Sequence, residues 1–339
     1  MSWFLFSIIC ILGWGFADLF YKFGSDEDDR YSHMKQAVWV GLVMGVCAFI
    51  FIPFSETIKS GNIADFGQKM LKYSPASLGY IVSMVIGYAG LRYLELSIVS
   101  PVQNASGALS AIVMSVFFIL TSEDALSSIS DETGFAFSVS SSADVINNIL
   151  ILCGILLIVG GVIRLAVVEQ KLSNREKELP KADRKYKYGA LALIFPILYC
   201  LFDTLGTAAD GIILDEETGL GLGEFDVIIL YGITFMLFGL GAWIFLWVKN
   251  IEPYNPFNKK ELPKGVAACC EEFGQVFYVY AMASKPVLAA PMVASYCIIS
   301  VILSRIFAKE KLQKSQYLCV IPVIIGIVLL GISEGLGEL

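Results

Sequence analysis

Runs of roughly 20 mostly apolar residues recur along the whole chain, and this feature restricts its possible folds more than any other. A helix rises 1.5 Å per residue, so about 20 residues are needed to cross the ~30 Å hydrocarbon layer of a bilayer. Of the 339 residues, 56% are hydrophobic and 16% are charged, and the mean hydropathy is +0.70. The pattern predicts an all-α integral membrane protein. Its ten predicted transmembrane helices are 3–22, 36–54, 76–97, 101–121, 145–168, 188–210, 224–248, 265–284, 286–307 and 315–333.

The basic residues are distributed unevenly between the connecting loops. Nineteen of the 24 Lys and Arg residues lie in or beside the loops that follow the first, fifth, seventh and ninth predicted helices. The loops 122–144 and 211–223 contain acidic residues and no Lys or Arg, although three lysines between the second and third helices depart from this separation. Loops rich in Lys and Arg stay in the cytoplasm. We therefore expect a multi-pass protein of a prokaryotic cell membrane with both termini outside.

Composition and motifs exclude several other classes of protein. All eight cysteines lie in apolar segments, where free thiols pack as small hydrophobic groups, and the single histidine is His33 in a polar loop. We therefore expect no disulfide framework, no metal site and no cofactor. The net charge of −7 and the lack of a basic stripe argue against a nucleic-acid partner. No nucleophile elbow, phosphate loop or zinc-protease motif is present, so an enzyme is not expected.

The two halves of the chain resemble each other weakly. A shift of 185 residues brings together four pairs, which are Trp14 and Tyr199, Asp18 and Asp203, Tyr93 and Tyr278, and Pro101 and Pro286. This predicts a first five-helix repeat over 1–170, a basic cytoplasmic linker over 171–187 and a second five-helix repeat over 188–339. Because five is odd, the repeats have opposite orientations, and such inverted repeats place a transporter's site at their interface.

The sequence contains the same pattern twice, beginning at 93–101 and at 282–291. Each stretch contains a proline and leads into a helix of small residues. That helix ends near an acidic residue, and an apolar helix with glycine follows it. This pattern resembles the paired repeat of EamA-like transporters in the drug/metabolite transporter superfamily, most closely over 281–332. The first helix, with its Gly-Trp-Gly-Phe-Ala-Asp run at 13–18, is also similar to members near the sugar porters. The resemblance implies a ten-helix carrier of small metabolites or drugs. The long acidic loop after Glu123 and the outward termini depart from the family pattern.

Polar residues inside the eighth predicted helix indicate a substrate site, because a carboxylate at the membrane centre costs at least ~2.5 kcal/mol. Glu271, Gln275 and Tyr278 share one helix face. They offer hydrogen bonds to a substrate, and an aromatic face can hold a cation. Alternatively, Glu271 or Glu272 pairs with a basic residue of a neighbouring helix and has only a packing role. The other predicted substrate-binding residues are Trp14, Asn104, Tyr199 and Tyr296.

Three further acids are predicted to couple transport to protons or to act as gates, namely Asp18, Asp203 and Glu272. Asp18 and Asp203 are related by the repeat and are expected in opposite halves of the bilayer. A carboxyl group shielded from water has its charged form disfavoured, so it can load and release a proton. Asp18 could instead form an ion pair with Lys22, four residues later. Asp203 is therefore the preferred proton carrier.

Together these features predict a secondary active transporter of a small polar metabolite that works by alternating access. The acid-rich helices favour a cationic, zwitterionic or neutral solute, with a proton as candidate coupling ion. The expected partners are this small molecule and the lipid bilayer, and the protein is expected to be a monomer or a homodimer. The alternative is a membrane-embedded lipid-modifying enzyme with intramembrane carboxylates. A sensory or structural membrane protein would not need buried acids.

Overall fold

The protein is described by a computed structural model, which covers residues 2–26, 29–61, 63–91, 93, 96–121, 130, 133–136, 141–176, 194–214, 219–220, 222–249, 254–307 and 314–337. Within these ranges it is 89% helix and contains no strand. The helices are α1 Trp3–Gly24, α2 Ser32–Phe51, α3 Glu56–Lys59, α4 Ile63–Leu91, α5 Leu96–Gln103, α6 Ser106–Thr121, α7 Ser142–Glu176, α8 Ile194–Leu214, α9 Glu224–Lys249, α10 Leu262–Ser284, α11 Pro286–Val293, α12 Tyr296–Phe307 and α13 Lys314–Gly337. Short 3₁₀ turns occupy Ile52–Phe54 and Lys259–Glu261.

Seven of the described helical stretches are long and apolar enough to cross a membrane. Large apolar side chains such as Leu120 and Val248 are exposed on the outside of the bundle, where lipid would cover them. The prediction of an all-helical membrane protein is therefore confirmed. The seven stretches are Trp3–Gly24, Ser32–Phe54, Ala64–Leu91, Asp144–Leu165, Ile194–Leu214, Glu224–Lys249 and Pro286–Phe307.

The remaining predicted spans are shorter or more polar. Ser106–Thr121 and Tyr317–Ser333 are apolar but shorter helices. Helix α10 is long enough to cross a bilayer, but Glu271, Glu272 and Gln275 make it more polar than the other long helices. These helices coincide with predicted spans, although hydropathy and length alone do not identify them as transmembrane.

Two helix boundaries differ clearly from the predicted ones. Helix α4 begins at Ile63, well before the expected start at residue 76. Its first turns are polar, so the apolar pattern did not include them. An ion pair of 3.3 Å between Lys69 and Asp65 lies in these turns. Helix α7 continues to Glu176, so the first part of the predicted linker 171–187 is helical. The rest of that linker, 177–187, lies outside the described residues.

The predicted fourth and ninth helices are each divided into two. Asn104 and Ala105 separate α5 from α6, and Ala294 and Ser295 separate α11 from α12. Both α5 and α11 have eight residues with proline at the sixth position, where the missing N–H weakens the helix. The matching breaks pair Pro101 with Pro291, 190 positions later. The predicted match of Pro101 with Pro286 is therefore not the one that the helix breaks support.

Four pairs of helices, α1 with α10, α2 with α9, α4 with α8 and α7 with α13, make the most extensive contacts, and each joins the two halves of the chain. At every crossing two glycines approach each other. A Cβ atom added at Gly13 would lie 3.0 Å from Gly274 Cα, and one added at Gly41 would lie 2.8 Å from Gly239 Cα. Small residues let membrane helices pack backbone against backbone. The other two glycine pairs are Gly79 with Gly206 and Gly154 with Gly326.

Candidate functional site

A central cavity lies among helices from both halves of the chain. Its volume is about 70 Å³, which is room for a few waters. Both helix breaks contribute to its wall, through Asn104 and Ala294. Nine of the ten predicted site residues line this cavity, which are Trp14, Asp18, Asn104, Tyr199, Asp203, Glu271, Gln275, Tyr278 and Tyr296.

Helix α1 presents Trp14, Asp18 and Tyr21 to the cavity at intervals of about one helical turn. The Asp18 carboxyl accepts hydrogen bonds through Oδ2 from the hydroxyl groups of Ser100, at 2.6 Å, and Ser300, at 2.8 Å. Lys22, the alternative ion-pair partner, donates from Nζ to the Leu91 carbonyl instead. Asp18 is therefore held by two serines from the broken helices.

Asp203 is held in a similar way on helix α8. Its Oδ2 accepts a hydrogen bond of 2.6 Å from the Ser106 hydroxyl, at the start of α6. Ser100 and Ser106 flank the break between α5 and α6, so this one interrupted helix provides a donor to each of the two acids. The sequence placed Asp18 and Asp203 in opposite halves of the bilayer, and the structure brings both to one cavity.

Glu271 lies on α10, with 9% of its surface exposed. Its Oε2 accepts hydrogen bonds from the phenols of Tyr21 and Tyr88, the latter at 3.1 Å. The Trp14 indole donates to the Glu271 backbone carbonyl at 3.1 Å. Among the described residues, no basic group pairs with this carboxyl. The alternative in which Glu271 is neutralised by a neighbouring base is therefore not seen.

Glu272 does not line the cavity. Its side chain is buried in the wall of α10. Adjacent residues on a helix point about 100° apart, so Glu271 and Glu272 cannot share one environment. Glu123, which precedes the long acidic loop, lies outside the described residues.

A tyrosine stripe on α4 was missed in the sequence. Tyr80 shares a hydrogen bond with the Tyr278 phenol and another, of 2.8 Å, with the Thr207 hydroxyl. Tyr73, about two turns before Tyr80 on α4, donates to Asp210 at 2.9 Å. Tyr73, Tyr80 and Tyr88 recur every seven or eight residues, which places them on one face of α4. This periodicity was the signal available in the sequence.

Aromatic rings form one corner of the cavity. The Trp14 ring lies 5.1 Å from the Tyr278 ring at 32°, and 5.5 Å from the Tyr296 ring at 79°. These are ordinary separations for stabilising aromatic pairs. Tyr199 packs so closely on α4 that a Cβ atom at Gly87 would lie 2.7 Å from its ring. The corner thus offers several ring faces beside Asp18.

The charged groups around the cavity all have one sign. Asp18, Asp203 and Glu271 line it, and none of the described lining residues is Lys, Arg or His. The amide nitrogens Nε2 of Gln103 and Gln275 are buried and have no hydrogen-bond partner. No group of three or more His, Cys, Asp or Glu within the described residues is arranged to hold a metal ion.

The chain is similar to known proteins in part of its sequence and in its fold. Residues 218–332 match the EamA-like transporter family, so the predicted resemblance to the drug/metabolite transporter superfamily is confirmed over these residues. Among 14 matching chains of solved structures, one described as "Crystal structure of protein" aligns with a TM-score of 0.56 at 10% identity, over 97% of this chain and 96% of that chain. At this identity the likeness shows the fold alone. No curated protein matches the chain by sequence.

Proposed function

Starting from the EamA-like match over residues 218–332, we propose that this protein is a secondary active transporter of a small polar metabolite. The observation that carries the proposal is the central cavity, which is built by helices of both halves and lined by three carboxyl groups. An acid-lined cavity favours a cationic, zwitterionic or neutral solute over an anion, because like charges repel at short range.

The proposed mechanism is alternating access by two inverted five-helix repeats, 1–170 and 188–339, joined by the linker 171–187. The helix contacts support this arrangement. Suppose that each span of the first half is replaced by the corresponding span of the second half, and the reverse. The contact between α1 and α10 then becomes the contact between α8 and α4, and the α2–α9 and α7–α13 contacts stay the same. The contacts of α6 with α11 and of α5 with α12 exchange in the same way. Such a twofold relation allows one half to rock against the other around a fixed site.

Proton coupling at Asp203 and Asp18 is part of the proposal. Asp18 accepts hydrogen bonds from Ser100 and Ser300, and Asp203 accepts one from Ser106, all three on the broken helices. A carboxylate can only accept such bonds, whereas a protonated carboxyl can also donate one. Loading a proton would therefore change what the flanking segments of the broken helices can bond to. Glu272 remains a proposed gate contact, buried on α10 beside Glu271.

Reconstitution tests the function directly. Purified protein in liposomes should catalyse saturable counterflow of at least one solute from a panel of amino acids, sugars, nucleosides and amines. A thermal-shift screen of the same panel selects the solute. Protein-free liposomes and the Glu271→Gln variant serve as controls, and both should lack the flux. If solutes bind to the purified protein but none crosses the membrane, the transport function is wrong.

A further inference from the structure

Resting on the proposed function, we infer that the cargo is a small organic cation that also carries one uncharged hydrogen-bond acceptor, as an amino alcohol does. The inference comes from the unused hydrogen-bonding groups of the cavity. They specify what a bound molecule has to supply.

Each cavity carboxyl group uses only one of its two oxygens. Asp18 and Asp203 accept through Oδ2, and Glu271 accepts through Oε2. No described donor contacts the other oxygen of any of the three. A buried carboxylate needs a positive or hydrogen-bonding partner, because transfer from water is otherwise costly. The walls offer acceptors in excess, so the missing donor or positive charge belongs to the bound molecule.

The aromatic corner provides a second feature that suits a cation. Trp14 sits between Tyr278 and Tyr296, and Asp18 lies one turn further along the same face of α1. A ring face attracts an ammonium group, most strongly when both are shielded from water. A carboxylate and a cluster of ring faces on one wall together match the charge and the apolar substituents of an alkylammonium ion.

Two amides specify the rest of the molecule. Gln103 and Gln275 are 5% and 4% exposed, both line the cavity, and the Nε2 donor of each has no partner. These donors require an acceptor on the cargo. A carboxylate would bring a negative charge beside Asp18, Asp203 and Glu271, and no basic residue among the described cavity lining offsets it. The acceptor is therefore uncharged, such as a hydroxyl or an amide oxygen, which separates this cargo from an amino acid.

Three probes of nearly the same shape separate these properties. Choline has a quaternary ammonium and a hydroxyl group. Betaine has a carboxylate in place of the hydroxymethyl group of choline, and 3,3-dimethylbutan-1-ol replaces the charged nitrogen by carbon. Binding to the purified protein is measured by calorimetry and flux by counterflow in liposomes. We expect choline to bind at least about tenfold more tightly than either analogue and to be the probe that crosses the membrane. Ethanolamine extends the test to a primary amine.

A comparison of two tryptophan variants tests whether choline binds in the central cavity. Trp14→Leu removes the ring face and should weaken choline binding about tenfold. Trp247→Leu is the matched control, because Trp247 lies on α9 with 59% of its surface exposed, away from the cavity lining. Both variants are checked for an unchanged unfolding temperature. Equal loss of binding in the two variants would overturn the assigned site.

The outcomes distinguish an error in the assigned cargo from an error in the proposed transport function. If betaine or the neutral alcohol binds as tightly as choline, the assignment of a cationic cargo is wrong. It is also wrong if neither choline nor ethanolamine binds. Flux of sugars or amino acids in the same liposomes would then show that transport itself stands. If the amines bind with the expected selectivity and neither crosses the membrane, the cation site is supported and the transport function fails.

Discussion

At the scale of single residues, the cavity acids are held by hydroxyl groups and not by bases. Glu271 is bonded to two tyrosines, and Asp18 to two serines. A neutral donor stabilises a carboxylate without cancelling its charge. The acids thus keep a negative charge available to a ligand or a proton, which a salt bridge would have neutralised.

We predict that Glu271→Gln abolishes or strongly impairs uptake while the protein remains folded in the membrane. The amide has nearly the volume of the carboxyl and can still accept from Tyr21 and Tyr88, so charge is lost and packing is kept. Glu272→Gln, outside the cavity lining, should have a smaller effect. The measurement is initial uptake rate per folded protein. Equal loss in both variants would contradict a particular role for the cavity-lining Glu271.

For the repeat-related acids, we predict that Asp203→Asn loses concentrative, pH-dependent uptake and retains exchange of substrate, whereas Asp18→Asn loses this uptake and also binds substrate more weakly, because Asp18 lies beside the aromatic corner. Lys22 had suggested a lesser role for Asp18, but Lys22 bonds to the Leu91 carbonyl, so that reason no longer holds. Exchange needs no net proton movement, which is why it should survive.

The control for this pair is Asp226→Asn. Asp226 is also a buried aspartate, but it accepts from Ser55 and Thr57 away from the cavity lining. Its variant should retain pH-dependent uptake. If the wild type transports equally well at about pH 5.5 and pH 8, and a proton ionophore has no effect, the acids do not couple transport to protons.

Much of the cavity lining could be predicted at this scale, because a polar residue within an apolar helix is conspicuous. Asp18, Asp203 and Glu271 stand out in this way. The tyrosines Tyr21, Tyr80 and Tyr88 do not, since a phenol is common both in cores and at membrane surfaces. The partner of each acid was not predictable, because hydropathy contains no information about neighbours.

At the scale of helices, the sequence predicted where apolar segments lie but not where they break. Hydropathy averaged over a window stays high across Asn104 and across Ala294, so both breaks look like continuous spans. The prolines at 101 and 291 were the available signal, because proline disrupts a helix near its own position. Pro286, in contrast, sits in the first turn of α11, where proline is tolerated.

The glycine crossings give a prediction at the same scale. Gly239→Ala should lower the unfolding free energy by about 1–3 kcal/mol, because overpacking strains both helices. Its added Cβ atom would lie 2.9 Å from Gly41 Cα. Gly241→Ala, two residues later on α9, is the matched control, since nothing lies within 4 Å of its added Cβ atom. The measurement is thermal unfolding in detergent. Similar unfolding temperatures for the two variants would contradict the close approach of α2 and α9.

At the scale of the whole molecule, the distribution of charge predicts the orientation in the membrane. Gly134 and Gly219 should lie outside, and Asn174 and Asn258 inside, because the basic residues flank the second pair of loops. Single cysteines at these four positions, on a background without the eight native cysteines, are tested with an impermeant thiol reagent in intact cells. Labelling at position 174 without labelling at position 134 would show that the predicted orientation is wrong.

The way in which the halves interleave could not be read from the sequence. Apolar periodicity identifies membrane helices, but lipid and a neighbouring helix are both apolar, so the pattern does not reveal which helices meet. The glycines were the only visible hint, and the chain has 30 of them. Four pairs at the crossings emerge only when the helices are placed together.

Because these crossings bring backbone against backbone, few side-chain rotamers would have to change there when one half tilts. In the proposed rocking motion, each glycine pair would lie near the axis of rotation of the two helices. Displacements are smallest near this axis and grow toward the ends of the helices. Small rotations would thus leave the centre of the bundle nearly still while the two membrane surfaces open and close.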